Sequence, residues 1–278
     1  MSERIVQLHS ELTYLVETPT TILLQVAAMK TSWQFIKDEL LTVNPSTPVD
    51  YLQTGPLGNR ACRLSLQPGS TTIHYSATAT LAPKQPVNSS LNELDYTKLP
   101  ADVLPYLNPS RYCESDKLGK FAADTFGHMN RGFDRVSKIA DWVFNSLSYT
   151  PGSTGPSTTA CDVLLQRTGV CRDYAHLAIA LCRSLGIPAR YVSGYAVNLE
   201  PPDFHGFFEA FLGGDWILFD ATKLAPVSGF VRIGAGRDAA DVAFATLIGQ
   251  ATLTGITVQA IDPEQTHDDP NNEAISTA

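Results

Sequence analysis

Between Arg4 and Glu17 the even positions hold Val6, Leu8, Ser10, Leu12, Tyr14 and Val16, with Gln7, His9, Glu11, Thr13 and Glu17 among the residues between them. A period of two sends one set of side chains to a buried face and the other to water, so the segment reads as a half-buried strand. The pattern returns at Ile22, Leu24, Val26 and Ala28, at Cys62, Leu64 and Leu66, and from Ile73 through Tyr75, Ala77 and Ala79 to Leu81. Gly58-Asn59 and the run Gln67 to Ser70, which contains Pro68 and Gly69, supply turn chemistry between these runs. Residues 1–82 are expected to form an antiparallel β-sandwich domain.

Residues 83–95 open with Pro83, Pro86, Ser89 and Ser90 among few apolar side chains, the composition of a linker. Beyond it the period becomes helical: Val136, Ile139, Ala140, Val143, Phe144 and Leu147 fall on one face. Pro151 to Pro156 force a loop, and a second helical run from Cys171 to Leu185 stops at Gly186 and Pro188. Strand patterns follow from Ala189, from Phe204 to Leu212 and from Asp215 to Thr222, the last two joined by Gly213-Gly214. Helices followed by an antiparallel sheet make residues 96–261 an α+β core. The polar run 262–278 is expected to be a disordered tail.

Charge narrows the function. Against 28 acidic residues stand 20 Lys and Arg, a net charge of -8 with no basic run, which argues against nucleic acid as a partner. The first residues lack the basic start and apolar stretch of a signal peptide, and no apolar run is long enough to span a membrane, so a cytoplasmic, membrane-free protein is expected. Five cysteines, Cys62, Cys113, Cys161, Cys171 and Cys182, are an odd number without a Cys-x-x-Cys pair. Neither disulfides nor a zinc site is expected from them, and no cofactor or metal is implied.

Cys171 is the most informative of the five. Ala175, Ala178, Ile179, Cys182 and Leu185 share its helix face, so Cys171 heads an inward stripe at the helix N-terminus. Unpaired N–H groups and the helix dipole there favour a thiolate, the attacking form of cysteine, and can also hold an oxyanion. The hairpin downstream offers a base. With Gly213-Gly214 as a two-residue turn, Leu212 faces Asp215, which places Phe207 opposite Asp220 and His205 opposite Thr222. His205 and Asp220 then share a face as diagonal neighbours, with backbones about 7 to 8 Å apart. A single bulge would separate them. Read one at a time, His205 is also compatible with a loop histidine and Asp220 with a turn former; beside Cys171 they complete nucleophile, base and orienter.

The block Gly169-Val170-Cys171-Arg172-Asp173-Tyr174-Ala175-His176, followed by Ala180 to Tyr195, resembles the core signature of bacterial transglutaminase-like proteins, often described as candidate cysteine proteases. His205 with Glu209, then Trp216 and Asp220-Ala221-Thr222, resembles the second and third motifs of that family. The resemblance runs from near residue 1 to about residue 260. It implies a papain-like, transglutaminase-like core of helices on an antiparallel sheet, preceded by a β domain. It also implies catalysis by Cys171, His205 and Asp220, with Arg172, Asp173, Tyr174, His176, Glu209 and Trp216 as candidates for supporting roles. Phe207 and Ala221 depart from the family's usual Trp and Pro, which leaves the triad and unsettles the pocket. Arg237, Asp238 and Asp241 read equally as an ion-pair brace and as a solvated loop, and His9, His74, His128 and His267 have no companions at useful spacing.

The expected function is thiol acyl transfer from a peptide or protein amide, hydrolytic in preference to cross-linking. The competing reading is an idle scaffold of the same fold that binds peptides or proteins.

Overall fold

A computed structural model describes residues 3–84, 86, 91–265 and 274–278. The N-terminal strands are β1 (Arg4–Val16), β2 (Thr20–Leu24), β3 (Gln34–Asn44), β4 (Asp50–Thr54), β5 (Asn59–Leu66) and β6 (Gly69–Leu81). After them come α1 (Gly119–Phe126), α2 (Phe133–Ser146), β7 (Ser148–Tyr149), α3 (Ala160–Gln166), β8 (Thr168–Gly169) and α4 (Cys171–Ser184). The chain ends in β9 (Ala189–Ala196), β10 (His205–Leu212), β11 (Asp215–Phe219), β12 (Phe230–Gly236), β13 (Ala245–Ile248) and β14 (Ala251–Ile261).

The alternation read from the sequence is the burial pattern of the structure: in β1 and β6 every second residue is buried. Two four-stranded antiparallel sheets, in orders β14-β1-β6-β3 and β13-β2-β5-β4, enclose a core of Val6, Leu12, Tyr14, Ile22, Leu64 and Tyr75 among others. Their edge strands correct the expected division. β14 pairs with β1 from Gln7↔Ile261 to Val16↔Ala251, and β13 pairs with β2, so residues 245–261 complete the N-terminal sheets and are not part of the core domain. The reason is hydrogen bonding: β1 and β2 would otherwise present a full edge of unpaired backbone groups. The sheet also brings His9 and His74 edge to face at 4.5 Å, a companionship their sequence separation hid.

The expected tail is corrected as well. Asp262 is buried and bonds Arg4 at 2.9 Å, Lys84 pairs with Ser276, and Ile275 accepts from the Leu218 N–H on β11. Ala274 to Thr277 are buried, so short apolar and hydroxyl side chains sufficed to dock a segment that composition assigned to disorder. Residues 266–273, including His267, and the linker residues Gln85 and 87–90 lie outside the described part. The rest of the linker is anchored: Leu91 is buried in the helical layer and Glu93 receives Arg131 and Arg135.

The core is built on a third four-stranded sheet, β11-β10-β9-β12, with α4 laid against β10 and β9. Ala175, Ala178, Ile179 and Cys182 of α4 pack with Phe208, Ala210 and Leu212 of β10 and with α2 residues Ile139 and Val143. The sandwich docks through Tyr195, Val197, Val231 and Ile233, which belong to its core. Tyr195 donates to the Val26 carbonyl at 2.8 Å and lies 3.1 Å from Ser10 Oγ. Asn59, in the turn region singled out by sequence, bonds both the N–H and the carbonyl of Ala235.

Candidate active site

The chain reaches α4 through β8, whose residues pair in parallel with β7: Ser148 with Thr168 and Tyr149 with Gly169. Val170 is extended, and the helix starts at Cys171. Asp173, three residues in, turns back to accept from the Val170 N–H at 2.9 Å, satisfying an end donor the helix leaves open. It is fully buried, and it also accepts from Thr154 and from Arg172 at 2.9 Å. A side chain at Gly169 would put its Cβ 2.8 Å from that of Asp173, which explains the glycine. Arg172 donates onward to Thr154 and the Gly155 carbonyl, so the two residues after Cys171 tie the 150–159 loop to the helix start.

The hairpin has the register the sequence implied, from Leu212↔Asp215 to Phe208↔Phe219 without a bulge. Gly213 and Gly214 both take positive φ, 60° and 97°, a backbone that other residues adopt at a cost. His205 Nε2 lies 3.1 Å from Asp220 Oδ2, with both side chains nearly inaccessible. Thr222 holds the other carboxylate oxygen, donating to Oδ1 from its N–H at 2.8 Å and its hydroxyl at 2.7 Å. Burial disfavours the imidazolium, but the charge and hydrogen bond of Asp220, joined by Cys171, outweigh it and raise the His205 pKa to about 10. Cys171 is thus close enough to the ring to act on its protonation. Burial pushes Cys62 and Cys161 up to about 11 and Cys113 up to about 12, and raises Cys182 further, so these four remain thiols at neutral pH.

Two tyrosines that the sequence reading passed over or left unassigned stand beside the thiol. Tyr149 is half-exposed, its ring 5.8 Å from that of Tyr174, and burial together with the nearby Cys171 raises its pKa; both the thiol and the backbone N–H of Cys171 act on its hydroxyl. Tyr191 is buried, and its hydroxyl would lie 2.4 Å from a Cβ at Gly206, the residue after His205. Nothing in the sequence marks Tyr149, because a two-residue strand has no readable period.

The remaining candidates do other work. His176 stacks between Tyr112 and Tyr191 and accepts from the Ala239 N–H at 3.1 Å; burial lowers its pKa to about 4 against the pull of Asp238 and Asp173, so it is neutral. Glu209 is fully buried between Arg190, at 2.6 Å, and Arg232, and Trp216 lies 4.0 Å beneath the Arg190 guanidinium. That cluster braces the sheet. Both readings of the 237–241 segment hold in part: Asp238 is buried and caps the Tyr112 and Ala240 N–H groups, while Arg237 and Asp241 pair at the surface at 3.0 Å. Phe207 packs 4.3 Å from Phe230 and beside His205, and Ala221 is buried. A cavity of about 650 Å³ along α2, between His128 and Asp141, is lined by none of Cys171, His205 and Asp220. Among the described residues no group of three or more His, Cys, Asp or Glu could hold a metal, and no helix is long and apolar enough to cross a membrane.

Comparison with known proteins agrees with this architecture. Residues 119–221 match the transglutaminase-like superfamily and residues 5–102 the bacterial transglutaminase N-terminal domain. A crystal structure from Cytophaga hutchinsonii, described as a candidate cysteine protease, is 40% identical with a TM-score of 0.94 and covers 99% of this chain and 98% of that one. An uncharacterised protein of Mycobacterium leprae is 38% identical over 116 residues, 39% of this chain and 42% of its own length. Another from Mycobacterium bovis is 32% identical over 151 residues, 49% of this chain and 48% of its own, so the chain spans about half the length of these curated relatives or less. From the N-terminal strands to the hairpin that carries His205, the chain belongs to the transglutaminase-like superfamily.

Proposed function

We propose that the protein is a thiol acyl-transfer enzyme acting on peptide or protein amides, with Cys171 as nucleophile, His205 as general base and acid, and Asp220 as the group that orients and charges the imidazole. The observation that carries this reading is the His205–Asp220 contact at 3.1 Å, set against the only one of the five cysteines that heads a helix longer than two turns. Asp220 engages Nε2, which leaves Nδ1 for the thiol proton. A raised imidazole pKa favours the thiolate–imidazolium pair over the neutral pair.

The thiolate adds to the carbonyl carbon and the carbonyl electron pair moves to oxygen. In this reading the Cys171 N–H, together with the Tyr149 hydroxyl on which it acts, donates to that oxyanion. As the C–N bond breaks, the imidazolium gives its proton to the departing amine and an acyl thioester remains. Water, deprotonated by His205, then releases the acid and the thiol. The 40% identical relative, described as a candidate cysteine protease, supports hydrolysis as the outcome.

The test is accumulation of acyl-enzyme. Incubation with p-nitrophenyl acetate should release p-nitrophenol and place one acetyl group on Cys171 by intact mass and peptide mapping, with slow clearance by water. Neither Cys171→Ala nor His205→Ala should accumulate it. Acetylation of the wild type spread over several residues, or equal in the Cys171→Ala variant, would contradict the proposal.

A further inference from the structure

A second group of chemically able side chains lies on the outer face of the sheet β14-β1-β6-β3, the side turned away from the sandwich core. Val6, Leu8, Ser10 and Leu12 of β1 point inward, so Gln7, His9 and Glu11 line the outer face, as Thr72, His74 and Ser76 do on β6. The antiparallel register sets Glu11 opposite His74 and Ser76 opposite His9, which makes the two histidines diagonal neighbours on adjacent strands. Their rings close that diagonal, with centroids 4.5 Å apart and planes at 68°. Both are half-buried, while Gln7 and Glu11 beside them are exposed.

Two imidazoles at this separation suit a single cation. With metal–nitrogen bonds of about 2.0–2.1 Å and a ring centre about 1.15 Å beyond each nitrogen, a right angle at the metal puts the centroids about 4.5 Å apart and a tetrahedral angle about 5.2 Å. The observed distance matches the right angle, which is the arrangement of tetragonal copper(II) and nickel(II) and not of tetrahedral zinc. Turning a histidine ring about its Cβ–Cγ bond aims a nitrogen while leaving the ring centre almost in place, and that torsion is soft. Thr42 on β3 lies opposite His74, and Gln259 on β14 lies opposite His9. With Glu11 and Ser76, these positions bring oxygen atoms and one negative charge to the pair. Lys37 stands opposite Thr78, four residues along β6 from His74.

We propose that His9 and His74 form a two-histidine site for a tetragonal transition-metal cation, copper(II) or nickel(II), with Glu11 adding charge and water taking the open positions. The bound cation clips β1 to β6 on the face opposite the core, and the site is independent of the acyl-transfer reading.

The test is calorimetric titration of the full chain, without an affinity tag, with nickel(II), which does not oxidise thiols. The wild type should bind one equivalent. His9→Asn and His74→Asn each convert a chelate into a single ligand and should weaken binding by about 100-fold. Glu11→Gln should weaken it by only about three-fold, the size of one exposed charge interaction. Cys171→Ala should bind nickel as the wild type does. Nickel should also raise the urea midpoint of the wild type and leave that of the His9→Asn, His74→Asn double variant where it was, which reads binding in folded protein alone. An affinity unchanged in both histidine variants, binding that disappears in Cys171→Ala, or no saturation below about 1 mM would overturn the proposal.

Discussion

Strand β10 carries two buried charged groups four residues apart, and they are handled in opposite ways. Glu209 is saturated: Arg190 Nε at 2.6 Å and Arg232 Nη1 at 3.1 Å, with Arg232 Nη2 on the other oxygen, occupy its carboxylate, and Trp216 covers one guanidinium. His205 is half-used, with Nε2 on Asp220 and the rest of the ring turned toward a thiol. A saturated cluster holds charge in place and has no proton to move. A half-saturated one keeps a proton in play, and its energetic strain is offset by packing elsewhere in the sheet.

The largest effect that would sharpen this contrast is Glu209→Ala. It leaves two buried guanidiniums without a counter-charge and should destabilise the fold by about 3–5 kcal/mol in urea unfolding. A loss below about 1 kcal/mol would mean that the cluster is solvated and the contrast false.

A second effect follows from the two buried histidines, whose pKa values move in opposite directions. His205 is raised to about 10 from the ordinary imidazole value near 6.5, so it contributes stability that is full below about pH 6.5 and lost as pH rises through 10. His176 is lowered to about 4 from the same value, so its contribution is present above about pH 6.5 and lost as pH falls through 4. Unfolding free energy against pH should peak near neutrality. Asp220→Asn should flatten the alkaline limb and leave the acid limb in place, as chemical denaturation at stepped pH would show.

Smallest is Thr222→Val, which removes one donor to Asp220 and leaves the other. Losing a hydrogen bond to a charged group should slow Cys171 chemistry by roughly ten-fold with a shift in stability of about 1 kcal/mol. A rate equal to the wild type would show that the Asp220 position is set by the strand alone.

How much of this was legible depends on the range of each signal. The His205–Asp220 pairing was readable because a two-glycine turn transmits register along a short hairpin, so arithmetic on residue numbers predicts which side chains meet. Cys171 was readable because Gly186 and Pro188 end a helix whose inward stripe points back to it. The return of β13 and β14 to the N-terminal sheets was not readable, since Leu253 and Ile256 pair with residues some 240 positions earlier and carry no mark of the partner. Tyr149 escaped for a related reason: it sits on a two-residue strand, where only tertiary structure sets direction. Glu209 and Trp216 belonged to the family block but serve the sheet, a distinction that motif spacing does not carry.

The central claim is an activated thiol in a cleft that differs in kind from the saturated cluster beside it. Its most direct test is the rate of iodoacetamide alkylation at Cys171, resolved from the other four cysteines by peptide mass spectrometry, at pH 6 in the wild type and in His205→Ala. The account predicts that Cys171 reacts far ahead of Cys62, Cys113, Cys161 and Cys182, and that the variant slows it by about 100-fold. Equal rates at Cys171 and Cys161, or a rate indifferent to His205, would contradict it.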